Sequence, residues 1–138
     1  MSDLKFSVEH LGLAARETAV LKDWYVRVLG AQVIFDNGQS PPAFQLALPG
    51  GPLLEIYPGA PSSAETGDNS VAGWRHVALQ VAHIESARET LAALGVAFTE
   101  PIKPAGGGGR VLFFEDAEGN LLHLVERPAG SIFCSGGL

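Results

Sequence analysis

Two short apolar runs, Leu53–Pro58 (LLEIYP) and Leu121–Val125 (LLHLV), carry the pattern that decides the fold. Both follow turns that contain glycine, and each has one ionisable side chain at its third position, Glu55 in the first run and His123 in the second. A polar side chain within an apolar strand costs free energy to bury unless it has a partner. The matching positions of these two residues therefore call for one shared explanation.

Other landmarks recur at nearly the same distance along the chain. His10 begins the segment HLGLA, and His76 begins the similar segment HVALQ. The LG pairs at 29–30 and 94–95 repeat in the same way, as do the two ionisable positions of the apolar runs. We infer an internally duplicated unit of about 65 residues. In such a pseudo-symmetric pair, two ionisable positions from each copy can face each other as a set of four.

Length and composition restrict the class of protein. The chain has 138 residues, and its 46% apolar and 17% charged content is typical of one globular domain spanning 1–138. A net charge of −6 without a basic cluster argues against nucleic acid as a partner. No apolar run approaches the roughly 18 residues of a membrane span, and the N-terminus has no signal-like hydrophobic region. The single Cys134 has no intramolecular partner, so we expect a cytoplasmic protein.

The first copy, about residues 6–58, predicts the order β-α-β-β-β. Residues 6–13 alternate like a strand with one buried face, and the apolar residues that follow recur at helical spacing until Gly30, which is typical of a helix C-cap. Three further strands are predicted at 31–35, 43–48 and 53–57.

A linker at 59–73 leads to the second copy, about residues 74–128, for which the same order is predicted. Its strands are expected at 74–81, 96–99, 111–114 and 121–125, with a helix whose apolar face ends at Gly95. Gly106–Gly109 is interpreted as a flexible loop, residues 116–120 as a hairpin turn, and residues 129–138 as a tail.

Laid out in this way, residues 6–128 resemble the vicinal oxygen chelate superfamily, which includes glyoxalase I, methylmalonyl-CoA epimerase, extradiol dioxygenases, fosfomycin-resistance enzymes and bleomycin-binding proteins. The matching segments are HLGLA from His10, the helix end WYVRVLG at 24–30, LLEI around Glu55, WRHVA around His76, and FFEDAEGNLL at 113–122. The resemblance implies an α+β fold of two βαβββ modules, whose curled mixed sheets enclose a metal-centred cavity.

The resemblance also implies metal ligands on the first and last strand of each module. These positions hold His10, Glu55, His76 and His123. The last position is usually glutamate in metal-dependent members, so His123 departs from the pattern. Glu126 lies three residues further on, an odd offset that points it to the other face of a regular strand unless a β-bulge exchanges the two.

Three imidazoles and one carboxylate favour a first-row transition ion over magnesium or calcium. Zinc, nickel, iron, cobalt and manganese all fit this set. Each histidine alone would also suit a hydrogen-bonded core position, and the four matched positions together favour metal binding. Glu55 is the predicted catalytic base, with His123 as the other candidate. Such a site suits a small substrate with two adjacent oxygens.

Alternation along the strands extends the prediction to a substrate pocket. The alternation selects Tyr57 and Trp74, while Phe44 and Phe113 are added as aromatic residues to close the cavity and Arg110 is added, on its charge alone, as a receptor for an anionic group.

Three functions stay open at this level. The first is a metal-dependent isomerase or lyase of the glyoxalase type, acting by proton transfer next to a metal-bound carbonyl. The second is an extradiol-type ring-cleaving dioxygenase, and the third is a non-catalytic drug- or metabolite-binding protein of the bleomycin-resistance type. A homodimer is expected from the resemblance, with the modules paired within one chain or exchanged between chains.

Overall fold

The computed structural model describes residues 5–61 and 65–133. The chain divides into two compact units, Met1–Ser62 and Ser63–Leu138, which are taken in turn below. Cys134 and the end of the predicted tail lie outside the described residues.

The first unit is one open, mixed, four-stranded sheet with a helix. Its elements are β1 (His10–Ala15), α1 (Thr18–Leu29), β2 (Gln32–Asp36), β3 (Phe44–Ala47) and β4 (Leu53–Pro58). The strand order is β1-β4-β3-β2, with β1 and β4 parallel and the other pairs antiparallel. The predicted β-α-β-β-β order is confirmed, although β1 begins four residues later than expected.

The second unit repeats this arrangement. Its elements are β5 (His76–Gln80), α2 (Ile84–Ala93), β6 (Lys103–Pro104), β7 (Arg110–Glu115) and β8 (Leu121–Glu126), in the sheet order β5-β8-β7-β6. The predicted strand at 96–99 is wrong. Phe98 instead packs edge-on against Phe114 at 5.8 Å between ring centroids, and Pro101, which has no N–H to donate, follows it.

The two sheets also share a register. In the first, His10 pairs with Leu53 and Gly12 with Glu55, and in the second, His76 pairs with Leu121 and Ala78 with His123. Each unit therefore places its histidine and its second ionisable residue on adjacent parallel strands, two residues apart in register. The α+β class with two mixed sheets is confirmed, and the duplication inferred from spacing is present in the backbone.

Each helix covers one face of its own sheet. Along α1, Leu21, Tyr25 and Val28 are buried, and Gly30 ends the helix in the left-handed conformation with φ of 69°. The N–H groups of Gly30 and Ala31 donate to the carbonyls of Val26 and Tyr25, both at 3.1 Å. Along α2, Ile84 and Leu91 are buried. Neither helix in the described part of the chain has the length and apolarity needed to cross a membrane.

The glycine-rich loop before β7, which was predicted as a flexible connection, accepts hydrogen bonds from the side chain of Arg127, which directly follows β8. Arg127 Nη1 donates to the carbonyl oxygens of Gly106 at 2.6 Å and Gly108 at 2.7 Å. Gly109 has φ of 97°, and a Cβ added there would overlap the carbonyl oxygen of Glu126. The backbone can approach this closely only because position 109 has no side chain.

Candidate metal-binding site

In the first unit, His10 and Glu55 lie on the sheet face that α1 leaves uncovered. The neighbouring Ile56 is fully buried on the helix side, so alternation places Glu55 on the other face. His10 Nε2 is 3.7 Å from Glu55 Oε1, beyond ordinary hydrogen-bond distance but close enough for both atoms to contact one ligand. The two side chains are 37% and 34% exposed, so this pair is accessible to solvent.

In the second unit, His76 and His123 occupy the equivalent positions. Their ring centroids are 4.8 Å apart with the planes inclined at 53°. Phe113 is the cross-strand partner of His123, and its ring centroid lies 4.8 Å from that of His123 and 6.0 Å from that of His76. His123 is buried, with 7% of its surface exposed, whereas His76 is exposed. An aromatic side chain thus packs against this second pair.

In each of the three histidines of these two pairs, the Nδ1 atom lies next to an oxygen acceptor. His10 Nδ1 lies 2.9 Å from Glu9 Oε1, His76 Nδ1 lies 2.8 Å from Asn69 Oδ1, and His123 Nδ1 lies 3.1 Å from the carbonyl oxygen of Leu124. An oxygen acceptor holds the ring proton on Nδ1, and the Nε2 lone pair of the neutral ring is then available. This is the arrangement that metal-binding histidines adopt, with the second nitrogen bonded to an outer acceptor.

The buried position of His123 also affects its protonation. Burial lowers the pKa of His123 below its ordinary value of 6.5, the hydrogen bond to Leu124 opposes this shift, and His76 and Arg127 add to it. A neutral imidazole is the form that binds a metal ion. At neutral pH, His123 is therefore already in that form.

A family model matches this arrangement of modules. The model described as "Glyoxalase/Bleomycin resistance protein/Dioxygenase superfamily" matches residues 7–124. The chain belongs to this superfamily. The predicted resemblance to the vicinal oxygen chelate proteins is thereby confirmed. Among curated proteins, no sequence matches the chain.

Several solved structures superpose on most of the chain. A member from Sphaerobacter thermophilus DSM 20745 is 30% identical, with a TM-score of 0.66 over 89% of this chain and 98% of that one. TnmS3, an antibiotic-binding protein from Streptomyces sp. CB03234, is 22% identical, with a TM-score of 0.70 over 93% and 100%.

FosX, a fosfomycin resistance protein from Listeria monocytogenes, is 20% identical, with a TM-score of 0.59 over 94% of each chain. Its structure contains Mn(II) and a dihydroxypropylphosphonic acid. At these identities, TnmS3 and FosX share the fold with this chain.

The residues of this chain fit a superfamily metal ion in donor type. Within neither unit do the described residues include three or more His, Cys, Asp or Glu side chains grouped to hold a metal ion. Each unit instead holds one pair, the first with an imidazole and a carboxylate and the second with two imidazoles. Nitrogen donors with one carboxylate match zinc, iron, nickel, cobalt or manganese.

Two of the predicted pocket residues share a face with these pairs. Tyr57 lies two residues after Glu55 on β4, and its ring covers Gly12, where an added Cβ would be 3.2 Å from Tyr57 Cε1. Phe113 packs against both histidines of the second unit, as described above. Glu126, the alternative to His123, lies on the other face of β8, where its carboxylate accepts a hydrogen bond from the backbone of Ile84 at 2.9 Å.

The structure places three other residues predicted for the pocket differently within their units. Phe44 is buried on the helix side of its sheet, where Lys22 Nζ of α1 lies 5.0 Å from its ring centroid. Phe44 pairs with Ile56, the neighbour of Glu55 on β4, so its side chain points to the face opposite Glu55. Trp74 precedes β5 and is 92% exposed, so its side chain lies on the surface of its unit. Arg110 lies on the helix side of β7 and is held by two carboxylates.

The carboxylates around Arg110 form a network at the start of α2. Arg110 donates to both oxygens of Glu85 at 2.6 and 2.8 Å and to Glu126 at 2.9 Å. The Arg110 hydrogen bonds lower the pKa of Glu85 from 4.5 to about 2, and the backbone hydrogen bond from Ile84 lowers the pKa of Glu126. Arg110 therefore stabilises the helix end, and its donors are directed at these carboxylates instead of a substrate.

Sequence reasoning missed the residues that surround the second pair. A cleft of about 350 Å³, named here the second-unit cleft, is lined by residues 67–69, Glu100, Lys103, Phe113 and Leu121. Asn69, which orients His76, lies in the predicted linker, where no periodicity identifies it. The alternating pattern of β8 predicts that Leu121 faces the same side as His123. Lys103 lies on β6, an edge strand that the sequence did not predict at this position.

Proposed function

We propose that this protein is a metal-dependent enzyme of the glyoxalase type that binds a divalent transition metal. The ligands would be His10, Glu55, His76 and His123. The supporting observation is the common orientation of the three histidines, each with Nδ1 at an oxygen acceptor and Nε2 available. Mn(II) in FosX, which shares the fold, is consistent with such a site.

The proposed reaction is proton transfer on a small substrate with two adjacent oxygens. When bound, the metal ion supplies Lewis acidity toward those oxygens. Glu55 accepts the proton from the carbon that carries the hydroxyl group and returns it to the carbonyl carbon, while the hydroxyl proton passes to the former carbonyl oxygen, so the substrate is isomerised with no net change in protons. Glu55 suits this role because its side chain is one-third exposed on the uncovered face, and His10 Nε2 is close to its Oε1 atom without a short hydrogen bond.

His123 is the alternative base, and its surroundings favour a ligand role instead. It is buried between neighbouring rings, and its Nδ1 is held by the Leu124 carbonyl. A base must exchange its proton with substrate in the course of the reaction, whereas a ligand is served by a locked ring. We therefore assign proton transfer to Glu55.

Metal content tests the first part of the proposal. The purified chain is expected to hold one transition-metal ion per chain by elemental analysis. His10→Ala, His76→Ala and His123→Ala should each reduce this content. His83→Ala is the matched control, because His83 is the remaining histidine and lies exposed at the N-cap of α2. Metal-free wild-type protein after exposure to these ions, or an equal loss in the control, would contradict the proposal.

Exchange with solvent tests the second part. With hemithioacetals or acyl-CoA epimers in D₂O, the metal-loaded protein is expected to incorporate deuterium at the carbon next to the carbonyl. Glu55→Gln should abolish this exchange, because an amide does not accept the proton. Exchange at the wild-type rate in Glu55→Gln would assign the base elsewhere, and absence of exchange in metal-loaded wild type would reject the reaction.

A second candidate is a binding protein without chemistry. It is favoured by the antibiotic-binding TnmS3, which has the same fold, and by the second-unit cleft, whose lining is complete within one unit. Ligand binding by metal-stripped protein together with no solvent exchange in the loaded protein would select this candidate. The homodimer and the cytoplasmic location stay predictions, and sedimentation would test the former.

A further inference from the structure

The second-unit cleft lies on the same sheet face as the second histidine pair. Phe113 is the cross-strand partner of His123, and Leu121 is the cross-strand partner of His76, so all four side chains project from one face. Asn69, which bonds to His76, also lines the cleft. A molecule in this cleft would therefore sit beside the proposed metal ligands.

Phe113 separates the histidines from a positive charge. Its ring contacts His76 and His123, and Lys103 Nζ lies 4.8 Å from its centroid. A cation at this distance is attracted by the aromatic ring. The cleft thus offers a flat apolar surface and an ammonium group next to each other.

The two acidic residues of the cleft, Asp68 and Glu100, have different partners. Asp68 accepts hydrogen bonds from the Ser70 hydroxyl at 2.6 Å and the Ser70 N–H at 2.9 Å, and these bonds lower the pKa of Asp68. Glu100 bonds to Lys103 at 3.1 Å, and both side chains are about half exposed. An exposed ion pair of this kind contributes little to stability, so another anion can replace Glu100 at small cost.

We propose that the second-unit cleft binds the planar apolar part of a small anionic substrate against Phe113, with the anionic group paired to Lys103. Lys103 is then a specificity residue for the enzyme proposed above. Binding in the cleft does not depend on that proposed function, whereas any reaction of the bound molecule at the adjacent histidines rests on it. The cleft volume of about 350 Å³ lies at the small end of ligand pockets, which suits a single ring system with one charged group.

Two related fluorescent probes test this inference in the full chain after removal of metal. Anilinonaphthalene sulfonate carries a negative charge, whereas phenylnaphthylamine has the same ring framework without it. Lys103→Ala is expected to weaken binding of the sulfonate about fivefold and to leave the neutral probe unchanged. Glu100→Gln should strengthen binding of the sulfonate, because it removes the competing carboxylate.

Lys22→Ala is the matched control, since Lys22 also lies over a phenylalanine ring and pairs with an acidic neighbour, but in the first unit. Equal effects of Lys103→Ala and Lys22→Ala, or equal effects on both probes, would overturn the inference. So would unchanged sulfonate binding in Lys103→Ala. Because the assay uses metal-free protein, its outcome is independent of the metal content and solvent exchange that test the proposed function.

Discussion

The two units have the same strand order and register but differ in how firmly each holds its ionisable pair. In the first unit, His10 is oriented by Glu9, a neighbouring side chain that is itself 82% exposed. In the second, Asn69 orients His76, the backbone orients His123, and Phe113 packs against both rings. Backbone duplication thus repeats the positions, while the packing around those positions has diverged.

The helix sides of the two sheets differ in the same direction. The N-terminus of α2 is bonded to Glu126, which Arg110 connects to Glu85. The N-cap residues of both helices, Glu17 and His83, make no capping hydrogen bond through their side chains, but at the start of α1 the buried hydroxyl of Thr18 has no hydrogen-bond partner among the described residues. We infer that the second unit holds its ionisable pair in a preorganised arrangement and that the first unit holds its pair more loosely.

The largest expected effect is a loss of stability from a substitution in the β6–β7 loop of the second unit, compared with a loop of the first unit. Gly109→Ala should destabilise the protein by about 3 kcal/mol or more, because the new methyl overlaps the Glu126 carbonyl at a left-handed φ. Gly51→Ala in the first unit's β3–β4 loop is the control, since an added Cβ there meets nothing within 4 Å. Urea unfolding measures both, and equal losses would show that loop packing does not distinguish the units.

The next prediction concerns the orientation of the histidines. Asn69→Ala should weaken metal affinity about tenfold, because His76 loses the acceptor that holds its proton on Nδ1. Asn69→Asp keeps an acceptor and should recover most of the affinity. Glu9→Ala should have an effect of similar size, because Glu9 and Asn69 are both exposed and lie 2.9 and 2.8 Å from the Nδ1 atoms of their histidines. Isothermal titration with Zn²⁺ measures these affinities, and an unchanged affinity in Asn69→Ala would show that this acceptor does not orient His76.

A pH-dependent loss of stability is expected from the second unit. The pKa of Glu85 is lowered to about 2 in the folded protein, so its contribution is present above its ordinary value of 4.5 and is lost as the pH falls toward 2. Arg110→Ala should lower Tm at neutral pH and reduce the further fall between these pH values. Lys22→Ala serves as the first-unit control. If Arg110→Ala lost Tm with falling pH as the wild type does, the Arg110–Glu85 ion pair would not be the cause of the acid dependence.

The smallest effect is expected where the parallel strands pair. Gly12→Ala brings a methyl group 3.2 Å from the Tyr57 ring, which costs free energy in the folded state. Alanine also makes the unfolded chain less flexible, which offsets this cost, so the free energy of unfolding should change by no more than about 0.5 kcal/mol. The reverse change at the equivalent position, Ala78→Gly, should destabilise by about 0.5–1 kcal/mol. Thermal unfolding compares them. A large loss in Gly12→Ala would show that the Tyr57 ring is fixed.

Local patterns predicted most of the backbone correctly. The apolar spacing before Gly30 identified α1, and the glycine itself identified its end, because helix periodicity and the left-handed cap are both local properties. The strand predicted at 96–99 failed because Phe98 is apolar for a different reason: it packs against Phe114 without joining the sheet. An apolar run does not reveal whether its backbone finds a pairing strand.

The site was predicted unevenly for the same reason. The pairing of His10 with Glu55 and of His76 with His123 followed from repeated spacing, and the structure brings each pair together within its unit. Phe44 and Arg110 were placed in the pocket on residue type alone, and the paired registers turn both toward the helices. Residue type names a chemistry, but strand pairing decides which face presents it.

The sequence by itself determined the duplicated β-α-β-β-β order, the superfamily and the four ionisable positions, because these depend on periodicity and spacing along the chain. Only the tertiary structure decided which partners surround those positions. Asn69 contacts His76, which is 7 residues away in sequence, and Lys103 contacts Phe113, which is 10 residues away. Arg110 contacts Glu126 and Glu85, which are 16 and 25 residues away. Contacts of this kind depend on how strands and loops pack, and no local pattern of residues specifies them.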